Sequence, residues 1–286
     1  MNTRSNSDLA NELLNTFPQL AALKGRRFLV KYGGAAMESQ QTRIDVCREI
    51  AALTRIGLEI VVVHGGGKEI SRLLERLNIP SNFIGGLRQT SPDAMVATEM
   101  ALSGSINKEL SSRITHLGVK AVGISGRDAH LFEATHIKGP NGEDLGATGE
   151  IARCEPVIID TLLKAGYVPV VSPVAETADG APLNINADYA AAALAGALKV
   201  ASCVFLTDVD GVKSEGQVQS SLSADEIEKL IANGTISGGM IPKVQCASRA
   251  VKAGCLSANI CNAGAANIVA RALTGGAGAG TRVVGR

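Results

Sequence analysis

Two β-branched runs that end in consecutive glycines constrain this chain more than anything else in it. They are Phe28–Gly34 (FLVKYGG) and Ile60–Gly67 (IVVVHGGG), and helical periodicity begins just past the glycines of each. A short Val/Ile-rich run bounded by glycine reads as a strand buried on both faces, as in a parallel sheet. Glycine lets backbone N–H groups converge on a ligand at contact distance. The helix that follows adds the positive end of its dipole. A third segment, Gly238–Lys243 (GGMIPK), places a lysine at the start of a late helix. Two such turns with Lys31 and Lys243 suit a phosphoryl group in transfer.

Other phosphate and oxyanion signatures fail. A Walker A loop needs G-x-x-x-x-G-K-[ST], but Glu69 follows Gly67-Lys68 and Val62 stands where the first glycine belongs. A dinucleotide fingerprint would need a third glycine where Ile70 stands. His64-Gly65-Gly66-Gly67 resembles a lipase oxyanion loop, yet no G-x-S-x-G elbow supplies a nucleophile.

Composition agrees with a covered parallel sheet. The 286 residues are 45% hydrophobic with 32 glycines, no tryptophan and 3% aromatics, which disfavours an aromatic-packed sandwich. A net charge of +1 supplies no field for nucleic acid or an anionic membrane. No apolar run reaches bilayer length, and no signal-peptide pattern opens the chain. The six cysteines contain no C-x-x-C pair and the four histidines no ligand spacing. The expectation is a reduced cytoplasmic protein with no metal site of its own, its histidines ordinary surface or turn residues.

Along the chain, Leu9, Leu13, Leu14, Phe17, Leu20 and Leu23 recur at helical spacing, with a kink at Pro18. From Phe28 the pattern is β-α-β-α. Ser91-Pro92-Asp93 opens a long helix through Leu117, because Ser caps, Pro suits the first turn and Asp meets the dipole. A β-rich insertion from about Leu131 to Cys154 interrupts the alternation, which resumes to the end of the chain. Gly275–Gly280 reads as a mobile loop. The predicted fold class is α/β, a three-layer αβα sandwich on an open, mainly parallel sheet. The N-terminal apolar stripe needs a partner, either its own domain or a neighbouring subunit; the division expected is 1–24 as an N-terminal oligomerisation helix and 25–286 as the main domain, with an acceptor-binding lobe (25–175) and a nucleotide-binding lobe (176–286).

Phosphoryl transfer asks for in-line alignment and for cations or N–H donors on the equatorial oxygens. Lys31 and Lys243 can supply charge from opposite sides, and Asp188 is placed to hold both ammonium groups or, more simply, to cap a helix. K-Y-G-G-x-A-M, V-H-G-G-G, G-L-R, N-K-E-L, L-N-I-N-A-D, L-T-D-V-D-G-V and G-G-M-I-P-K occur in order between Lys31 and Lys243, within a likeness that runs from about Phe17 to the C-terminus. In this the chain resembles the amino-acid kinase superfamily, and Gly86-Leu87-Arg88 with Leu183–Asp188 resemble its N-acetylglutamate branch. The resemblance implies ATP-dependent phosphorylation of the side-chain carboxylate of N-acetyl-L-glutamate, with Mg²⁺ arriving on ATP. It implies that Lys31 and Lys243 stabilise the phosphoryl group, that Asp188 orients them, and that Gly34 and Gly66 donate N–H bonds to it. Gly66 and Gly67 would also hold the reacting carboxylate, Arg88 the α-carboxylate, and Asn184 the acetamido group with Asn186 nearby. Thr207, Asp208, Gly211, Lys213, Thr235, Ser237 and Gly239 would line the nucleotide site.

Some positions depart from the pattern. Arginine-inhibited members with such an N-terminal helix carry tyrosine where Gln19 stands, and an effector-contacting glutamate where Arg271 stands. Gln245 replaces a glutamate common after P-K-V. The resemblance therefore implies a retained oligomerising helix, hence a homohexamer, with a damaged arginine site. Off-pattern context at Gln89-Thr90 and Gly126–Ala129 leaves open a kinase of a related acceptor such as N-acyl-2-aminoadipate. A catalytically silent oligomer binding a nitrogen-signalling protein is the reading from a different class.

Overall fold

The computed structural model describes residues 18–214 and 216–285. Most of the N-terminal apolar stripe (Leu9, Leu13, Leu14, Phe17) lies outside the described residues; Leu20 and Leu23 pack, partly buried, against the core of their own chain.

In chain order the first elements are β1 (Arg27–Tyr32), α1 (Gln40–Arg55), β2 (Glu59–His64), α2 (Gly67–Arg76) and the hairpin β3 (Asn82–Ile84) with β4 (Leu87–Gln89). The long helix is capped by Ser91, whose hydroxyl accepts from Ala94 N. It comprises α3 (Pro92–Glu99), a π-helical segment (Met100–Ile106) and α4 (Asn107–His116). Then come β5 (Ala121–Ser125), β6 (Phe132–Lys138), β7 (Asp144–Cys154), α5 (Val157–Lys164), β8 (Val168–Ser172), β9 (Val174–Glu176) and β10 (Pro182–Ile185). The remainder is α6 (Ala187–Ala197), β11 (Ser202–Thr207), β12 (Lys213–Ser214), β13 (Gln217–Val218), β14 (Ser221–Ser223), α7 (Ala224–Ala232), α8 (Met240–Lys252), β15 (Ser257–Asn262), α9 (Ile268–Thr274) and β16 (Thr281–Val284).

Eight strands form the main sheet in the order β14-β16-β15-β11-β1-β2-β8-β5, parallel except where β16 runs against β15. Strand alternation divides the core. Phe28, Val30, Tyr32, Ile60 and Val62 face a layer made by α1, α2, the long helix and α9. Leu29, Val61, Val63, Cys203 and Phe205 face α5, α6, α7 and α8. The three-layer expectation is met. Because β1 lies between β2 and β11, the chain's winding reverses at β1, and ligands of open α/β sheets bind at the carboxyl ends of strands at such a switch point.

The predicted insertion is only half of its unit. β6 and β7 close with β9 and β10 into a four-stranded barrel, so residue 175 lies inside a strand and β10 pairs back onto β7. Its reach lies in pairing between distant segments, which periodicity does not encode.

A turn of this unit carries strain. Ala129 and His130 sit consecutively at φ +53° and +54°, a left-handed region that costs a side-chain-bearing residue about 1–2 kcal/mol. Glycine regains part of this at some cost in chain entropy, so Ala129→Gly is expected to stabilise the protein by about 1 kcal/mol. Reversible denaturant unfolding checks it, and an unchanged midpoint would refute it.

Candidate active site

Alternation also aims Lys31. Leu29 points into the layer beneath α6, and Lys31, two residues on, points the same way at the strand's carboxyl end. There its ammonium meets the Asp188 carboxylate at 2.7 Å, both side chains largely buried. Asn186 caps α6, its side chain accepting from Asp188 N at 2.8 Å. The capping role open to Asp188 thus falls to Asn186, and the carboxylate is left for Lys31.

The two glycine turns touch backbone to backbone. A methyl on Gly33 would stand 3.1 Å from Gly65 N, and Gly65 N donates to Tyr32 O at 2.8 Å. Gly34 lies at φ +66°, which favours glycine. Behind the second turn His64 is fully buried, a correction to its expected surface or turn role. Its Nδ1–H donates to Gly65 O (2.9 Å) and its Nε2 accepts from Asn107 Nδ2 (3.1 Å). Burial pushes the imidazole down to about 4, so it remains neutral at ordinary pH and holds the glycine turn as a dipole. Asn107 also donates to Val170 O and Ile124 O, tying the long helix to three strands.

Arg88 stands on the β3–β4 hairpin, 5% exposed, stacked 4.5 Å from the Phe83 ring centroid. Its guanidinium donates to Gly67 O (3.0 Å), Ser71 Oγ (2.9 Å) and Ser81 Oγ. These partners are neutral, and burial lowers the affinity of Arg88 for its proton. A buried cation held by neutral oxygens can take up a carboxylate, whose bidentate geometry fits the planar fork.

One cavity of about 230 Å³ gathers Lys31, Gly34, Gly65, Gly66, Gly67, Arg88, Asn184, Asn186 and Asp188, with Leu102 and Thr148 that sequence reading missed. A second, of about 360 Å³, is lined by Asp208–Lys213, Thr235, Ile236, Ser237 and Met240. Asp208, Gly211, Lys213, Thr235 and Ser237 thus line one cavity. Thr207 lies behind the wall, its hydroxyl accepting from Val209 N at 2.9 Å, and Gly239 serves as N-cap of α8.

Lys243 is half-buried on the first turn of α8. The charges of Asp188, Lys31 and Lys243 all act on the Cys246 thiol, which burial pushes up to about 12. Asp188 nevertheless pairs with Lys31 alone; among the described residues Lys243 makes no ion pair within 4 Å, against the expectation that Asp188 holds both. The carboxylate is engaged by the strand lysine.

A buried guanidinium, a lysine and two glycine turns in one cavity, with a separate cleft nearby, fit a phosphotransferase with a carboxylate acceptor. The chain belongs to the amino acid kinase family, whose model matches residues 26–262. It is 41% identical over 260 residues to the acetylglutamate kinase of Pelotomaculum thermopropionicum, covering 87% of this chain and 88% of that one. It is 40% identical over 289 residues to the acetylglutamate kinase of Prochlorococcus marinus, with 99% and 92% covered. Among solved structures, N-acetylglutamate synthase from Neisseria gonorrhoeae, complexed with coenzyme A and N-acetyl-glutamate, shares the fold with a TM-score of 0.84 at 22% identity. That match covers 98% of this chain, which spans 64% of the length of the synthase.

Proposed function

We propose that this chain is an ATP-dependent kinase acting on the side-chain carboxylate of N-acetyl-L-glutamate, forming N-acetyl-L-glutamyl 5-phosphate for arginine biosynthesis. The observation that carries it is the single cavity holding Arg88 and Asn184 together with Lys31 and both glycine turns. Relatives about 40% identical over most of the chain bear the name of that activity. A carboxylate oxygen attacks the γ-phosphorus, the bond to the bridging oxygen breaks, and ADP leaves with the electron pair. Lys31, Lys243 and the N–H groups of Gly34 and Gly66 take the charge on the transferring oxygens, and Asp188 positions Lys31. Asp208, Gly211, Lys213, Thr235 and Ser237 form the nucleotide side, with Thr207 behind its wall and Gly239 at the start of α8. Among the described residues no cluster of three or more His, Cys, Asp or Glu side chains could cage a metal ion. Mg²⁺ is proposed to arrive on ATP, held by phosphates and water.

Hydroxylamine trapping with ADP release tests this, since an acyl phosphate yields a hydroxamate. N-acetyl-L-glutamate should exceed free glutamate by at least about a hundredfold, because the ammonium of the free acid would face the buried Arg88 and leave the amide-reading groups unpaired. Equal yields would reject the assignment, and N-acetyl-2-aminoadipate in the same panel tests the alternative acceptor.

We further propose a cytoplasmic homohexamer joined through residues 1–24, with a nitrogen-signalling protein as candidate partner. No helix among the described residues is long and apolar enough to cross a membrane. Arg271 turns its guanidinium onto Ala277 O and Ala266 O, filling its own glycine-rich turn with a cation. Effector arginine would meet repulsion there. Loss of one charge-assisted contact, about 1.5–3 kcal/mol, weakens inhibition at least about tenfold. Light scattering with and without residues 1–23 and activity titrated with arginine check both statements. A full-length dimer or micromolar inhibition would overturn them.

A further inference from the structure

The cavity that takes the acceptor has a second layer of hydroxyls whose proton count is fixed. Thr90 is fully buried and Thr148 nearly so. Thr148 Oγ1 donates to Arg88 O, and Thr90 Oγ1 lies 2.8 Å from Thr148 Oγ1 and 3.2 Å from Arg88 O. Thr90 has one hydroxyl proton, and either neighbour consumes it. Towards Asn184, 3.2 Å away, Thr90 can therefore only accept. Asn184 must turn its NH₂ to Thr90, which leaves Oδ1 for the cavity that Asn184 lines. Among the described residues that oxygen has no hydrogen-bond partner.

The same relay is anchored on the backbone carbonyl of Arg88, whose side chain is the carboxylate receptor. Strand pairing fixes the rest: Thr90 N donates to Leu145 O, Ala147 N donates to Thr90 O, and Asn184 pairs with Thr148. An N-acyl α-amino acid carries its carboxylate and its amide N–H on one carbon. The protein carries the two complementary groups, the Arg88 guanidinium and Asn184 Oδ1, on one hydrogen-bonded relay.

We propose that Thr90 is a specificity-determining positioning residue, which locks Asn184 with its oxygen towards the cavity and so requires an N–H donor beside the acceptor's carboxylate. This rests on the acceptor reading above. Without the Thr90 hydroxyl the Asn184 amide is free to flip and to present NH₂, which an N–H donor cannot use and an ester oxygen can.

The test pairs two acceptors, N-acetyl-L-glutamate and 2-acetoxyglutarate, which replaces the N–H by oxygen. Wild-type protein should prefer the amide in kcat/KM by at least about thirtyfold, since the ester leaves Oδ1 unpaired. T90V, an isostere without the hydroxyl, should bring that ratio to within about threefold, chiefly through the acceptor KM, with the KM for ATP unchanged. T90S should restore the wild-type ratio. T148V should also keep it, because Thr90 then donates to Arg88 O and still only accepts from Asn184. T90A, which removes the same hydroxyl with less volume, serves if T90V does not fold. A wild-type ratio near one, or a T90V or T90A ratio equal to that of the wild type, overturns the proposal. Absence of hydroxamate from wild-type protein with N-acetyl-L-glutamate would instead defeat the acceptor reading itself.

Discussion

Lys31→Ala is expected to lower kcat by roughly 10²–10³, the range for removing one preorganised donor to transition-state charge, with the acceptor KM changed only a few-fold. The side chain is 10% exposed, so its charge acts with little water to screen it. It stands at the end of β1, where the carboxylate oxygen and the phosphoryl group would meet, while Arg88 on the hairpin is proposed to hold the acceptor. Ground-state binding therefore survives its loss. The substitution also leaves the Asp188 carboxylate unpaired in a largely buried place, where removal of one partner from a buried pair costs about 3–5 kcal/mol. A Lys31→Ala, Asp188→Asn double variant separates the two effects. It should recover most of the lost thermal stability and none of the kcat. Steady-state kinetics with thermal melts of both variants decide it, and a single variant with near-normal kcat would remove Lys31 from the chemistry.

Lys31 was legible in the sequence because two local signals coincide there. The β-branched run sets alternation, and alternation fixes which helix layer a residue faces. Paired glycines then mark where the backbone opens to a ligand. Asp188 was legible as a carboxylate at a helix start, but its role was not, since Asn186 and Asp188 both suit a cap and only packing of α6 against β1 decides between them. His64 was misread because a histidine beside three glycines looks like a turn residue. Its ring lies under the long helix, where it meets Asn107, 43 positions away, a contact no local window shows. The barrel made by β6, β7, β9 and β10 and the reversed strand β16 rest on long-range pairing that no window of sequence displays. Thr148 escaped, and Thr90 stood out only as off-pattern context, for the same reason: the bond between their hydroxyls joins positions 58 apart.

Gly66→Ala is expected to lower kcat by about 10² through geometry alone. Gly66 is extended at φ 171°, so alanine meets no backbone objection there. Its methyl would stand 2.3 Å from Ile106 Cδ1 and 2.8 Å from Leu102 Cδ2. Both side chains are buried and belong to the π-helical segment, which swells the long helix towards the glycine turn. A close-packed interior has little slack to absorb such an overlap. The turn must lift, carrying the Gly66 N–H away from the transferring oxygens, and a misplacement of about 1 Å can cost a hundredfold. Ile106→Val removes the Cδ1 atom and relieves the nearer contact while leaving Leu102 in place. The double variant should therefore regain about tenfold in kcat, and Ile106→Val alone should lose about 1 kcal/mol of stability with kcat close to wild type. The interaction term between the two substitutions is the measurement. If the double variant is no faster than Gly66→Ala, the loss is not steric, and the π segment does not set the position of the glycine turn.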